Sequence, residues 1–133
     1  MKDVLKAFHS YVEKKYNAEA GFITMNLPKL QLMLEEVGIE RPIICTSINK
    51  AGFRMSGGKE LYESVLKSKE VRIIAMQVFA GGALSAREAI KYIYSLPNIE
   101  SILFGASSQG HITETVSLIQ EYEELYKVNL SVV

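Results

Sequence analysis

The chain has 133 residues, 48% of them hydrophobic, and its 15 basic side chains balance its 15 acidic ones. This size and composition predict one globular domain over residues 1–133, and the absence of net charge argues against a nucleic-acid-binding protein or a peripheral membrane protein. A charged amino terminus, the absence of any apolar run long enough to cross a bilayer, and a single cysteine together predict a cytoplasmic protein.

The amino-terminal part of the chain alternates helix and strand patterns. Apolar residues at three- and four-residue steps predict a first helix over residues 3–16, and a short strand follows over residues 22–25. Asn26 and Pro28 have the capping and first-turn positions of a second helix, which is expected to end at Gly38 before a strand over residues 43–47. The inward-facing residues of these two helices are expected to be Val4, Leu5, Phe8, Tyr11, Val12, Tyr16, Leu30, Met33, Leu34 and Val37.

A long irregular stretch over residues 48–58 precedes the third helix, which is predicted over residues 59–68 with Leu61, Val65 and Leu66 inward. Long loops in βα units are more often functional than accidental. The two cations in this loop, Lys50 and Arg54, are candidate partners of an anionic ligand, and the alternative is an ordinary exposed loop. Cys45, in the apolar strand before the loop, is expected to be a buried core residue rather than a nucleophile.

Two apolar runs dominate the carboxyl-terminal part, over residues 71–79 and 99–104. They are nearly continuous, as expected of strands buried on both faces of a parallel sheet. Each run ends in a glycine-containing turn before a helix start: Ser85 and Glu88 have the spacing of a capping box, and Ser107 or Ser108 caps the last helix. These two helices are expected to bury Ala89, Ile90, Ile93, Leu96, Ile112, Val116, Ile119, Tyr122 and Leu125 or Tyr126, and residues 128–133 are expected to form a short strand.

Four βα units, repeated about every 30 residues, predict an α/β fold with a parallel four-stranded sheet joined by right-handed crossovers. Such a (βα)4 unit is half of an eight-stranded TIM barrel. Half of a barrel has two unpaired strand edges and an apolar concave face, so we expect either a homodimer or association with an amino-terminal half-barrel. A flavodoxin-like rearrangement, with helices on both faces of the sheet, is the alternative for a monomer.

The turns after the last two strands are the candidate site, because ligands of parallel α/β proteins collect beyond the carboxyl ends of the strands. Glycine-bearing loops that lead into helix starts can hold a small anionic or phosphorylated ligand, and turn geometry alone is the alternative explanation for these glycines. His111 is expected to be a solvated residue rather than an acid or base, and the few histidines and cysteines predict no metal site. The candidate anion-binding residues here are Gly81, Gly82, Ser85, Gly105, Ser107 and Ser108.

Several short motifs follow one another along residues 71–118. They are Ile74-Ala75-Met76, Gly81-Gly82, Ser95-Leu96-Pro97, Phe104-Gly105-Ala106-Ser107-Ser108 and Glu114. In this order they resemble the last two βα units of the aldo/keto reductase family. The resemblance implies that the chain corresponds to strands five to eight, the carboxyl-terminal half, of a (β/α)8 barrel in an NAD(P)-dependent oxidoreductase.

The resemblance has consequences for chemistry. The family's catalytic aspartate, tyrosine, lysine and histidine belong to the amino-terminal half of the barrel and have no counterpart here, so no hydride transfer is expected from this chain alone. The resemblance places the adenosine phosphate of NADP beyond the last strand, at Ser107, Ser108 and Glu114. Thr115 stands where the family has asparagine, and His111 is the one candidate for the basic residue that pairs the 2′-phosphate. The alternative function is a stand-alone binding or structural module that associates with itself.

Overall fold

Helices and strands alternate along the chain in the computed structural model, which describes residues 1–131. No helix in these residues is long and apolar enough to cross a membrane. A 3₁₀ turn, Ala80–Gly82, follows the third strand. The elements in chain order are α1 (Lys2–Tyr16), β1 (Gly21–Thr24), α2 (Leu27–Glu36), β2 (Ile43–Ser47), α3 (Lys59–Ser68), β3 (Arg72–Met76), α4 (Ala86–Tyr94), β4 (Ile99–Ile102) and α5 (Gln109–Ser131).

The four strands form one parallel sheet in the order β1-β2-β3-β4. Each connection therefore moves one strand further in the same direction, and successive right-handed crossovers of this kind place every connecting helix on the same face. The predicted α/β fold, a parallel (βα)4 half-barrel, is confirmed. The flavodoxin-like alternative is wrong, because it needs a strand order that reverses direction and helices on both faces.

The two faces of the sheet differ in burial. The covered face, which carries Phe22, Ile44, Thr46, Ile73 and Ala75, lies under the helices, and none of these side chains is more than 8% exposed. The open face carries Ile23, Cys45, Ile74, Met76 and Leu103, which are half-buried or exposed.

The expectation that the strands are buried on both faces is therefore wrong for the chain by itself. Ile23 is 71% exposed on the open face. Cys45 is half-buried on the same face and is not the core residue that the sequence predicted. Partial burial raises the pKa of its thiol, so the side chain is protonated at neutral pH. The core is formed by the covered face, the helices above it and buried loop residues such as Ile48, Met55 and Val78.

The helix boundaries agree with the capping signals. The Asn26 side chain accepts the Lys29 N–H at 3.2 Å, and Ser85 Oγ accepts the Glu88 N–H at 3.3 Å. At the end of α2, Gly38 has a φ of 77° and the Ile39 N–H donates to the Leu34 carbonyl at 3.0 Å, as in a Schellman motif. These local hydrogen bonds satisfy groups that a helix end leaves without a partner.

The inward faces of three helices differ from the prediction. No residue of α1 is buried, and Val4, Phe8, Tyr11 and Tyr16 are 44–65% exposed, because a helix at the edge of a half-barrel has a neighbour on one side only. In α3 Val65 and Leu66 are buried as predicted, but Tyr62 is buried in place of Leu61, which is 50% exposed.

The last helix is rotated relative to its predicted inward face. Thr115 and Leu118 are buried, whereas Ile112, Val116, Leu125 and Tyr126 are exposed, because α5 is apolar on more than one face. The strand predicted over residues 128–133 is also wrong as far as the structure reaches, since α5 continues to Ser131. Residues 132 and 133 lie outside the described part of the chain.

Tyr62 connects three elements through its fully buried hydroxyl group. The hydroxyl donates to the Met25 carbonyl at 2.7 Å and accepts the Leu27 N–H at 3.2 Å. It therefore pairs backbone groups at the end of β1 and the start of α2 from a position on α3. A buried phenol needs such partners, because an unpaired buried hydroxyl costs free energy.

Candidate functional site

A cleft of about 1080 Å³ opens beyond the carboxyl ends of β3 and β4. Its walls come from the turn after β3, the loop after β4, the first turn of α5 and the tip of the loop after β2. This is the end of the sheet where parallel α/β folds place their ligands. The lining residues are Phe53, Arg54, Met76, Gln77, Val78, Phe79, Gly81, Gly82, Leu84, Ser85, Ala86, Leu103, Phe104, Gly105, Ala106, Ser107, His111, Glu114 and Thr115.

The structure brings together most of the candidate residues, although they come from three separate segments of the chain. Only Lys50 and Ser108 do not line the cleft. Ser108 instead caps α5, since its Oγ accepts the His111 N–H at 3.2 Å. The candidates on the wall of the cleft are Arg54, Gly81, Gly82, Ser85, Gly105, Ser107, His111 and Glu114.

Two helix starts point their first turns towards the cleft. Ser85 and Ala86 at the start of α4 line one side, and Ser107 and His111 at the start of α5 line the other. Each capping serine satisfies one first-turn N–H, and the remaining first-turn N–H groups have no acceptor within their own helix. The positive ends of the two helix dipoles therefore give the cleft a preference for negative charge.

Gly81 and Gly82 are explained by the turn itself. Their φ angles are 68° and 92°, in the left-handed region that side chains disfavour. A Cβ atom on Gly81 would also come to 3.7 Å from the Phe53 ring, an ordinary contact. For these two positions the turn-geometry explanation is sufficient.

Gly105 has no such explanation. It is not among the glycines with positive φ, and apart from its two chain neighbours no described residue has an atom within 4 Å of a Cβ built on it. Backbone conformation and packing within the chain therefore both allow a side chain at this position. Gly105 lies on the wall of the cleft three residues after the end of β4, where a side chain would occupy space available to a ligand.

The two cations of the loop after β2 have different positions. The Lys50 ammonium donates to the Glu88 carboxylate at 2.6 Å, and neither residue lines the cleft. The structure therefore does not bring Lys50 to the cleft, and Glu88 uses its carboxylate on Lys50 rather than on the N-cap backbone. Arg54 lines the cleft, and in the described part of the chain its guanidinium pairs with no carboxylate but lies 5.2 Å from the centre of the Phe53 ring.

Two further titratable side chains face the cleft from the first turns of α5. His111 is exposed and lies beside the uncapped N–H groups of the helix start. Glu114 follows one turn later and brings a carboxylate to the same cleft. A carboxylate repels a bare anion, but it accepts hydrogen bonds from a hydroxyl or amino group of a larger ligand.

The aromatic lining of the cleft was not predicted from the sequence. Phe53, Phe79 and Phe104 line it, and the last two rings are in edge contact with centroids 6.3 Å apart. A usable signal was present, because Phe79 and Phe104 directly precede the glycine turns at the two strand ends. These rings give the cleft an apolar wall opposite its polar groups, a combination typical of small-molecule sites.

Comparisons of the chain with protein-family models, with curated proteins and with solved structures gave no significant match.

Proposed function

We propose that this chain is a binding module that holds a small phosphorylated ligand in the cleft beyond β3 and β4. The observation that carries the proposal is Gly105, a glycine that neither backbone conformation nor packing requires. It lies where the α5 start and the Arg54 guanidinium converge on one cleft. A glycine at such a point lets a phosphate approach the main chain closely.

The other lining groups favour a ligand larger than inorganic phosphate. The phosphate would take hydrogen bonds from the first-turn N–H groups of α5 and from Arg54. The rings of Phe53, Phe79 and Phe104 offer an apolar surface for a flat organic group, and Glu114 would accept a hydrogen bond from a hydroxyl or amino group. A nucleotide, including NADP as the aldo/keto reductase resemblance implies, has all three chemical features.

The direct test is a binding titration with inorganic phosphate, ADP and NADP, in which calorimetry or NMR measures the binding. Gly105→Val should abolish binding without loss of folding, because the position is open in the free protein. Ser107→Ala should weaken binding only by about 1 kcal/mol, the typical contribution of one neutral hydrogen bond. If none of the three binds at millimolar concentration, or if Gly105→Val binds normally, the proposal is wrong.

Arg54 and Lys50 form a matched pair for the same titration, since they are the two cations of one loop. Arg54→Ala should weaken phosphate binding by about 10- to 100-fold, as expected for the loss of a charge-assisted hydrogen bond. Lys50→Ala should leave binding unchanged, because Lys50 does not line the cleft and its ammonium pairs with Glu88 instead. Equal losses in both variants would indicate a general charge effect and would contradict a specific role for Arg54.

The second candidate function is the carboxyl-terminal half of an aldo/keto-reductase-like enzyme. The open apolar face of the sheet favours it, because the interior of a complete barrel is filled by side chains from all eight strands. On this proposal the purified chain oxidises no NADPH with an aldehyde, and activity appears when an amino-terminal half-barrel is added. Steady NADPH oxidation by the pure chain, well above a heat-inactivated control, would contradict both the binding-module proposal and this one.

A further inference from the structure

The two terminal helices each carry an apolar stripe that the described part of the chain leaves partly exposed, although the Phe8 ring of α1 packs edge-on against Phe22. On α1 the stripe consists of Val4, Phe8 and Tyr11, which are 65%, 44% and 55% exposed. On α5 it begins with Ile112 and Val116, which are 47% and 39% exposed, and continues to the half-buried Ile119. Both stripes have the i, i+4, i+7 spacing of one helix face. They lie at opposite edges of the half-barrel, beside β1 and β4.

The charges of the two helices are complementary. α1 carries four lysines against one aspartate and one glutamate, and α5 carries four glutamates against one lysine. The charges next to the stripes show the same difference, basic on α1 and acidic on α5. Lys14 and Lys15 follow the α1 stripe, whereas Glu123 and Glu124 follow the α5 stripe.

The spacing of apolar and charged positions is also the same on both helices. Val4 and Lys15 are eleven residues apart, as are Ile112 and Glu123. Helices of a parallel βα ring all run in the same direction, so neighbouring helices at a junction are parallel. In a parallel pair the apolar stripes would face each other along their length, and the lysine pair would lie opposite the glutamate pair.

We propose that two copies of this chain form a closed dimer in which α1 of each copy packs against α5 of the other. A twofold axis relates the two identical contacts, which limits the assembly to two copies. The open faces of the two sheets then face a shared interior. At each junction between the copies lie two helices, α1 of one copy and α5 of the other, where a single-chain barrel has one helix. The proposal therefore concerns this helix contact and includes no strand pairing between copies. It does not depend on the ligand of the cleft.

The ion pairs within one copy leave these lysines and glutamates able to pair with a second copy. Glu123 pairs with Lys127 at 3.4 Å within α5, and both side chains are more than half exposed. Exposed pairs of this kind contribute little to stability, so Glu123 can exchange its partner at small cost. Lys14, Lys15 and Glu124 make no ion pair with any residue that the structure describes.

Charge reversal tests the pairing and its direction. Lys14→Glu with Lys15→Glu should raise the dimer dissociation constant by about tenfold or more, because like charges then meet across the contact. Glu123→Lys with Glu124→Lys should do the same, and the four changes combined in one chain should restore association. Lys6→Glu, on another face of α1, is the matched control and should have no such effect. Failure of the combined variant to recover would overturn the pairing.

A disulfide trap tests the geometry without any need for loss of function. Val4→Cys and Ile112→Cys are made in separate chains that both carry Cys45→Ser; both positions are exposed, so folding should be retained. The proposal predicts a cross-linked species when the two chains are mixed under oxidising conditions. Cross-linking of either chain with itself alone would indicate that like helices meet and would overturn the proposal. A chain that sediments as a monomer at every concentration would also overturn it.

Discussion

The covered and open faces of the sheet have similar apolar sequences but different surroundings. On β3, Ile73 faces the helices and is fully buried, whereas its neighbour Ile74 faces the open side and is only half-buried. β2 repeats the pattern with Ile44 and Cys45. A sheet that normally had solvent on one face would alternate apolar and polar residues. The apolar residues of the open face are therefore typical of a surface that another chain covers. Residues of the covered face stabilise the fold, whereas residues of the open face are available for association.

The largest expected effect comes from substituting the two neighbouring isoleucines of β3. Ile73→Ala should lower the free energy of unfolding by about 2 to 5 kcal/mol, because it leaves a cavity in a closely packed core. Ile74→Ala should cost about 1 kcal/mol or less in dilute protein, since its side chain has fewer neighbours to lose. Chemical denaturation of both variants gives the two values. Equal decreases in the free energy of unfolding would mean that the open face is as tightly packed as the covered face, and would contradict the difference between the two faces.

A smaller effect is expected from the buried hydroxyl group on the covered side. Tyr62→Phe keeps the ring but leaves the Met25 carbonyl and the Leu27 N–H without their partner, which should cost about 1 to 3 kcal/mol. Tyr11→Phe is the matched control, because Tyr11 is 55% exposed, and it should change stability by no more than about 0.5 kcal/mol. Denaturant midpoints measure both. A Tyr62→Phe variant as stable as the control would mean that water replaces the lost hydrogen bonds.

The smallest effect concerns the reactivity of Cys45 on the open face. Burial raises the pKa of its thiol, so the thiolate fraction at pH 8 is below that of an ordinary cysteine and alkylation by iodoacetamide should be slower. The rate should rise with pH beyond about 8.5, the usual thiol pKa. If the proposed dimer forms, the rate should also fall as protein concentration rises, because the second copy then covers the open face. A rate equal to that of free cysteine and independent of concentration would contradict both statements.

Local signals in the sequence predicted the frame of this fold well. The Asn26 and Ser85 caps and the Gly38 stop act within one helix turn, so residue types and spacing are enough to place them. The convergence of two strand ends on one cleft was also predictable, because a parallel sheet puts those ends on the same side. These features depend on neighbours in sequence or on topology alone.

Features that depend on distant partners were not predictable. Lys50 follows the strand end that points to the cleft, so the sequence made it a candidate. Its ammonium pairs instead with Glu88, 38 positions later in the chain, and local sequence does not show that contact. Helix α5 has more apolar positions than one face can hold, so periodicity could not show which of them would meet α4. Leu61 and Tyr62 have the same difficulty, because the partners of the inward tyrosine hydroxyl, the Met25 carbonyl and the Leu27 N–H, lie 37 and 35 positions earlier in the chain.

The chain folds as a half-barrel, and we propose that a second copy covers its open face. Sedimentation equilibrium over a wide range of protein concentration tests it most directly. We expect a reversible transition to a species with twice the 14.9 kDa mass of one chain, and weaker association in the Lys14→Glu, Lys15→Glu variant. A single species of 14.9 kDa at all concentrations, identical for the native chain and the variant, would contradict it.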